Sequence, residues 1–119
     1  MANLPLHEPT FLILTTLADE PRHGYGIIGE VSTLSDGRVK LRPGTLYGAL
    51  DRLTADGLVR VEREEVTGGR LRRYYQLTDD GAGVLEADAE RLRHNAEVAT
   101  QRLAARSASP ATARVAPAT

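Results

Sequence analysis

The chain has 119 residues, of which 41% are apolar, 26% charged and 4% aromatic, and its net charge is −1. That is about one domain's length with material for a modest core. The absence of cysteine excludes a disulfide scaffold, a thiolate metal site and a cysteine nucleophile. No apolar run approaches the roughly 20 residues that span a bilayer. Residues 1–7 show no basic-then-apolar leader, so a cytoplasmic protein is expected. The net charge hides a gradient. Residues 1–37 hold one Arg against five acids, residues 38–73 nine Arg and Lys against five, and residues 74–119 five Arg against six. A polyanion responds to the local field rather than to the total. The plainer reading is that an Arg-rich surface serves solubility alone.

Phe11, Leu12, Ile13, Leu14 and Leu17 put apolar side chains around most of a first helix, with Pro9 in its opening turn. Asp19-Glu20-Pro21 is expected to end it, since the residue before a proline avoids the α region. His23-Gly24-Tyr25-Gly26 opens a second helix, with Tyr25, Ile28, Val31 and Ile27 read as inward. Ser35-Asp36-Gly37 stops it by turn chemistry. Arg38-Val39-Lys40-Leu41 alternates and reads as a brief strand. Pro43 begins a third helix, in which Leu46, Leu50 and Leu53 form one buried stripe beside Ala49. Gly57 closes it in the left-handed conformation, with Leu58 packing back.

Residues 58–66 and 71–78 then alternate as two strands, Leu71, Tyr75 and Leu77 sharing a face. Thr67-Gly68-Gly69-Arg70 between them marks a hairpin turn, because glycine accepts the positive φ such turns need. In Thr78-Asp79-Asp80 the hydroxyl caps a last helix and the two acids favour its first turn, a reading preferred to acid–base chemistry. That helix is expected to run to about Arg106. Leu85, Ala89, Leu92, Ala96, Ala99 and Leu103 recur in steps of four and three, a heptad seam. From Leu85 to Arg106 it would extend roughly 33 Å at ~1.5 Å per residue. Half of the seam is Ala, which buries little but lets helices approach closely. Pairing with a second chain is preferred to packing on its own domain. Residues 107–119, rich in Ala, Ser, Thr and Pro, read as a disordered tail.

The expected fold is therefore mainly α with a small β-hairpin (α+β). It reads as a winged helix-turn-helix over residues 1–81 followed by a long C-terminal dimerisation helix over residues 82–106. In such a fold one helix enters the major groove and reaches base edges, while helix N-termini and Arg or Lys hold phosphates.

At the third helix, the segment from Leu41-Arg42-Pro43-Gly44-Thr45-Leu46-Tyr47-Gly48 to Leu53, then Asp56-Gly57-Leu58-Val59, resembles the recognition segment of the PadR family of bacterial regulators. His23-Gly24-Tyr25-Gly26 and Arg73-Tyr74-Tyr75-Gln76-Leu77-Thr78-Asp79-Asp80-Gly81 continue the resemblance, in order over about residues 4–85. It implies a dimeric transcription regulator, usually a repressor. The C-terminal helix would pack on the partner's first helix, which brings Phe11 and Leu14 into the interface with the seam. An effector pocket of unknown ligand between the arms, lined by Leu92, Ala96 and Ala99, is implied by the resemblance alone; tight packing is preferred. Two features depart from the family. Arg42 stands where many relatives carry a small polar residue. No Trp is present, so stacking of flat drugs on tryptophan cannot be carried over.

Weighed singly, Tyr47 points away from the buried stripe and can offer a hydroxyl to phosphate and a ring edge to a base; the alternative is partial burial on the second helix. Gly44 and Thr45 lie in the first turn, where bare N–H groups and a hydroxyl fit phosphate or simply cap. Arg42, Arg52 and Lys40 flank that face. Gly48 costs ~1 kcal/mol relative to Ala in a helix, which either a close approach of nucleic acid or a tight helix crossing would rationalise. His23 caps its helix or touches phosphate, and lacks companions as a metal ligand. Tyr25 reads as core. Arg70, Arg72 and Arg73 flank the hairpin; alternation lets one of the last two face DNA.

The reading is a homodimeric, sequence-specific DNA-binding regulator whose partners are double-stranded DNA and a second copy, with no cofactor, metal or membrane. The alternative is a winged-helix protein-interaction module in which Asp51, Asp56, Glu62, Glu64 and Glu65 neutralise the cations. No Ser/His/Asp constellation, clustered His or phosphate-binding Gly loop points to an enzyme.

Overall fold

The computed structural model describes residues 4–108. The described elements are, in chain order, α1 (Glu8–Thr16), β1 (Arg22–His23), α2 (Gly24–Leu34), α3 (Pro43–Ala55), β2 (Val59–Thr67), β3 (Arg70–Leu77) and α4 (Asp79–Ala108). The chain divides into two units between Asp88 and Ala89. The first holds the three short helices, the sheet and the opening turns of α4; the second begins with the remainder of α4.

Each helix of the first unit buries one side. Ile13, Leu14 and Leu17 from the α1 segment meet Ile27 and Val31 of α2 and Leu46, Ala49, Leu50 and Leu53 of α3, with Leu58, Val59 and Tyr75 completing the cluster from the sheet side. α1 ends earlier than Pro21 would impose. Leu17 N–H and Ala18 N–H donate to Leu14 and Thr15 carbonyls three residues back, so the last turn tightens and closes at Thr16. α3 begins on Pro43 as expected. Beyond its C-cap Asp56, Gly57 (φ 77°) lets Gly57 N–H donate to Thr54 O at 3.0 Å and Leu58 N–H to Leu53 O at 2.9 Å. These are the paired bonds of a Schellman cap.

β2 and β3 pair antiparallel from Val59↔Leu77 to Thr67↔Arg70. The two-residue turn has φ 58° at Gly68 and 79° at Gly69, and only residues tolerant of positive φ fit both places. The expected simple alternation fails at one point. The register shifts between Val61 and Arg63, and the extra residue puts Arg63 rather than Glu62 across from Tyr74, where its guanidinium lies 4.0 Å from the ring centre.

Two expectations are corrected. Arg38–Leu41 is no strand: Arg38 N–H donates to Ser35 O and Val39 N–H to Ser35 Oγ, which closes the turn at the end of α2, and residues 39–41 continue without regular structure. The sheet's third strand is Arg22–His23 instead, which pairs with Tyr75 and Tyr74 of β3. Tyr25 is not core but 61% exposed, because β1 delivers the chain into α2 with Tyr25 turned away from the cluster, whereas Ile27 and Val31 are buried as expected.

Thr78 caps α4 as expected, its Oγ1 accepting Gly81 N–H at 3.0 Å and donating to Gly57 O at 2.7 Å. The helix continues to Ala108, two residues past its expected end. The rest of the expected disordered tail lies outside the described residues. Asp88 is fully buried and its Oδ2 accepts Leu6 N–H at 3.4 Å, which ties the segment before α1 to α4. No helix among the described residues is long and apolar enough to cross a membrane.

Candidate nucleic-acid interface

With Leu46, Ala49, Leu50 and Leu53 buried, α3 turns Gly44, Thr45, Tyr47, Asp51 and Arg52 outward and leaves Gly48 half-buried. Arg42 precedes its first turn and Lys40 lies on the loop before it, both exposed. Between α3 and the β2–β3 wing runs a hollow of about 410 Å3, walled by Tyr25, Tyr47, Asp51, Tyr75 and the β3 run from Arg70 to Arg73, with His23 and Gly24 at one end.

Tyr47 is 40% exposed and lies on the backbone at the start of α2. A Cβ on Gly24 would come within 2.2 Å of Tyr47 Oη, so the bare glycine makes room for the ring. Burial first, then the neighbouring Tyr75 and Tyr25 hydroxyls, raise the Tyr47 pKa, with Arg73 opposing. The phenol therefore keeps its proton and remains a donor. Gly48 has no such neighbour. A Cβ there would meet only Arg52 Nη1 at 3.8 Å, so no tight helix crossing accounts for that glycine.

His23 does cap α2: Nδ1 accepts Gly26 N–H at 3.3 Å. Its ring meets Tyr74 edge-on at 5.3 Å, and Nε2 lies 3.4 Å from Arg72 Nη1. Burial, then the charge of Arg72, lower its pKa and keep the ring neutral.

The cations sort into two groups. Arg22 pairs with Asp19 and Glu20, Arg38 with Glu8, Arg63 with Glu62 and Glu65, Arg73 with Glu64 and Arg93 with Glu90. Lys40, Arg42, Arg52, Arg70 and Arg72 make no ion pair among the described residues, and neither do Arg60, which donates to Gln76 Oε1 at 2.9 Å, nor Arg102 and Arg106 of α4. Arg73 is bonded to Glu64 across the ladder at 2.9 Å, whereas Arg72 reaches His23, its Nη1 3.4 Å from Nε2. Glu62, Glu64 and Glu65 are thus paired with Arg63 and Arg73 rather than with the α3 cations, while Asp51 lies exposed on the α3 face itself. The Gly24–Tyr47 contact matches the alternative weighed for Tyr47, partial burial on the second helix, whereas the hollow and the exposed Val66–Leu71 pair at the wing tip were not read from the sequence. The only local signal was the His-Gly-Tyr-Gly string itself.

In the expected dimer interface, Leu14 is fully buried within its own protomer and offers no surface to a partner; Phe11 is half-buried. Leu85 packs partly on the core and Ala89 is half-buried, whereas Leu92, Ala96, Ala99 and Leu103 are exposed.

The family model of the transcriptional regulator PadR-like family matches residues 13–87. The chain belongs to that family. Among curated PadR-like and related proteins, the transcriptional regulator Rv3488 of Mycobacterium tuberculosis is 40% identical over 80 residues, 67% of this chain and 71% of that protein. An uncharacterised transposon protein of Streptomyces fradiae is 43% identical over 83 residues, 70% of this chain but 22% of that protein's length. A PadR family transcription regulator of Clostridium difficile superposes with TM-score 0.68 at 27% identity, over 82% of this chain and 99% of the other. The PadR of Bacillus subtilis, solved with its operator DNA, superposes with TM-score 0.59 at 24% identity, over 66% of this chain and 45% of that one. The α+β winged-helix architecture with its long last helix is therefore the family's.

Proposed function

We propose that this PadR-like regulator is a homodimeric, sequence-specific DNA-binding repressor acting in the cytoplasm, not an enzyme. Residues 1–81 form the reading unit and the helix from residue 82 the dimerisation arm. The observation that carries the reading is that Lys40, Arg42, Arg52, Arg70 and Arg72, about the outward face of α3 and the wing, make no ion pair among the described residues, while Arg38, Arg63 and Arg73 are paired to carboxylates. α3 enters the major groove with Tyr47, Gly48 and Arg52 toward base edges. Gly44 and Thr45 offer N–H groups and a hydroxyl to a phosphate, and Arg42 and Lys40 hold the backbone beside it. Arg70 and Arg72 engage the flanking backbone, with Arg73 held back by Glu64. Two copies place their α3 helices about one DNA turn (~34 Å) apart, so the operator is an inverted repeat. The operator complex of the Bacillus subtilis protein supports the partner class, and the family supports repression.

Selection from a random-sequence duplex pool, followed by anisotropy titration, tests this. Affinity should fall linearly on log axes with salt. Tyr47→Ala and Arg52→Ala should each weaken the selected duplex about tenfold, the scale of one base or phosphate contact, with the sedimentation behaviour unchanged. Wild-type affinity in both variants would reject α3 as the reading helix. A pool that enriches nothing would leave the protein-interaction module as the remaining reading.

A further inference from the structure

His23 stands where α2, β1 and β3 meet. Because Nδ1 accepts Gly26 N–H at 3.3 Å, the neutral ring carries its proton on Nε2. That nitrogen lies 3.4 Å from Arg72 Nη1. Both are donors, and neither meets a protein acceptor among the described residues. The ring is held in place by its edge-on contact with Tyr74 at 5.3 Å.

The charged groups around the pair are committed elsewhere. Arg22, next along β1, donates to Thr16 O at 2.7 Å and pairs with Asp19 and Glu20. Glu65, the ladder partner of Arg72, is bonded to Arg63 at 2.7 Å. Two fixed donors side by side, one of them cationic, match a single oxyanion with several lone pairs. We propose that His23 Nε2–H and the Arg72 guanidinium together form a seat for one backbone phosphate of the bound duplex, joining the start of α2 to the wing on the same anion. The seat rests on the DNA-binding reading above and deepens it: His23 acts in its neutral form, as cap through one nitrogen and as phosphate donor through the other.

His23→Asn separates the two roles. Asn supplies an N-cap acceptor of full strength but lacks the Nε2 donor. In the full-length protein, its melting temperature should match wild type while its affinity for the selected duplex falls about tenfold, the scale of a hydrogen bond to a charged group. Arg72→Gln should weaken the same duplex at least as much. The double variant should bind no more weakly than the worse single one, because both lose the same phosphate. Losses that multiply, or an Asn variant that binds like wild type, would overturn the seat. Should His23→Asn fail to fold, single methylphosphonate substitutions scanned along the duplex decide the matter. One position must cost wild type affinity and cost Arg72→Gln clearly less; a scan without such a position rejects the proposal. Arg52→Ala on the same duplex keeps the two readings apart. If it weakens binding while His23 and Arg72 are silent, the seat alone falls; if wild type selects no duplex, both fall.

Discussion

At the scale of single residues, the clearest dependence is that of Tyr47 on Gly24. A methyl group there collides with the far end of the tyrosine, 2.2 Å from Oη, and a side chain's far end moves more cheaply than backbone. Gly24→Ala should therefore fold with its stability unchanged or slightly raised and bind the selected duplex several-fold more weakly, because the ring leaves its place. Equal affinity by anisotropy would show that the ring's position is immaterial. His23 adds a pH dependence of stability. Burial and Arg72 lower its folded pKa below the unfolded value of about 6.5. The folded state thus favours the neutral ring, so the contribution is complete above about pH 6.5 and is lost as pH falls through the lowered value. The melting temperature of wild type should drop below that of His23→Asn as pH is taken from 7 to 5. Parallel melting curves in that window would rule the coupling out.

At the scale of elements, the end of α3 and the start of α4 form one knot. The Schellman cap at Gly57, the Thr78 hydroxyl donating to Gly57 O at 2.7 Å and Thr78 N–H donating to Leu58 O at 3.1 Å bind the two helix termini across the sheet. Gly81 sits directly on this knot, since a Cβ there would lie 2.1 Å from Leu58 O. Backbone cannot swing aside as a side chain can. Gly81→Ala should cost at least about 1–3 kcal/mol, in the range of overpacked sites, measured as a lower urea midpoint. Gly48→Ala is the contrasting case. Its nearest neighbour would be Arg52 Nη1 at 3.8 Å, so it should gain up to about 1 kcal/mol of helix propensity. If Gly81→Ala proves neutral, the close approach of the α4 start to Leu58 is wrong.

At the scale of the whole molecule, a net charge of −1 coexists with a group of cations about α3 and the wing that make no ion pair among the described residues. The arm carries the other large-scale expectation. Leu92 and Leu103 are 42% and 64% exposed on α4, at seam positions with Ala96 and Ala99 between them. Leu92→Glu with Leu103→Glu should convert a dimer to a monomer in sedimentation velocity and weaken an inverted repeat far more than a single half-site, because two linked sites bind with a shared effective concentration. A wild-type protein that sediments as a monomer would remove the dimer, and with it the paired-site operator.

The features legible in the sequence are those whose causes lie within a few residues of one another. Pro43 and Gly57 bracket α3, Leu46, Leu50 and Leu53 mark its buried stripe, Gly68-Gly69 demands the hairpin, and Thr78 caps the next helix; each works through its own backbone and the adjoining turn. Tertiary structure decided what depends on distant partners. A two-residue strand has no propensity of its own, so Arg22–His23 becomes β1 only because β3 offers it hydrogen bonds, and that pairing turns Tyr25 outward. Likewise Gly24 matters because Tyr47 arrives over it, Leu14 is core because α2 and α3 enclose it, and Arg73 is neutralised because the hairpin register sets Glu64 opposite. Local periodicity can say that a side chain is apolar or charged. Which atoms it meets is settled only when the chain has closed on itself.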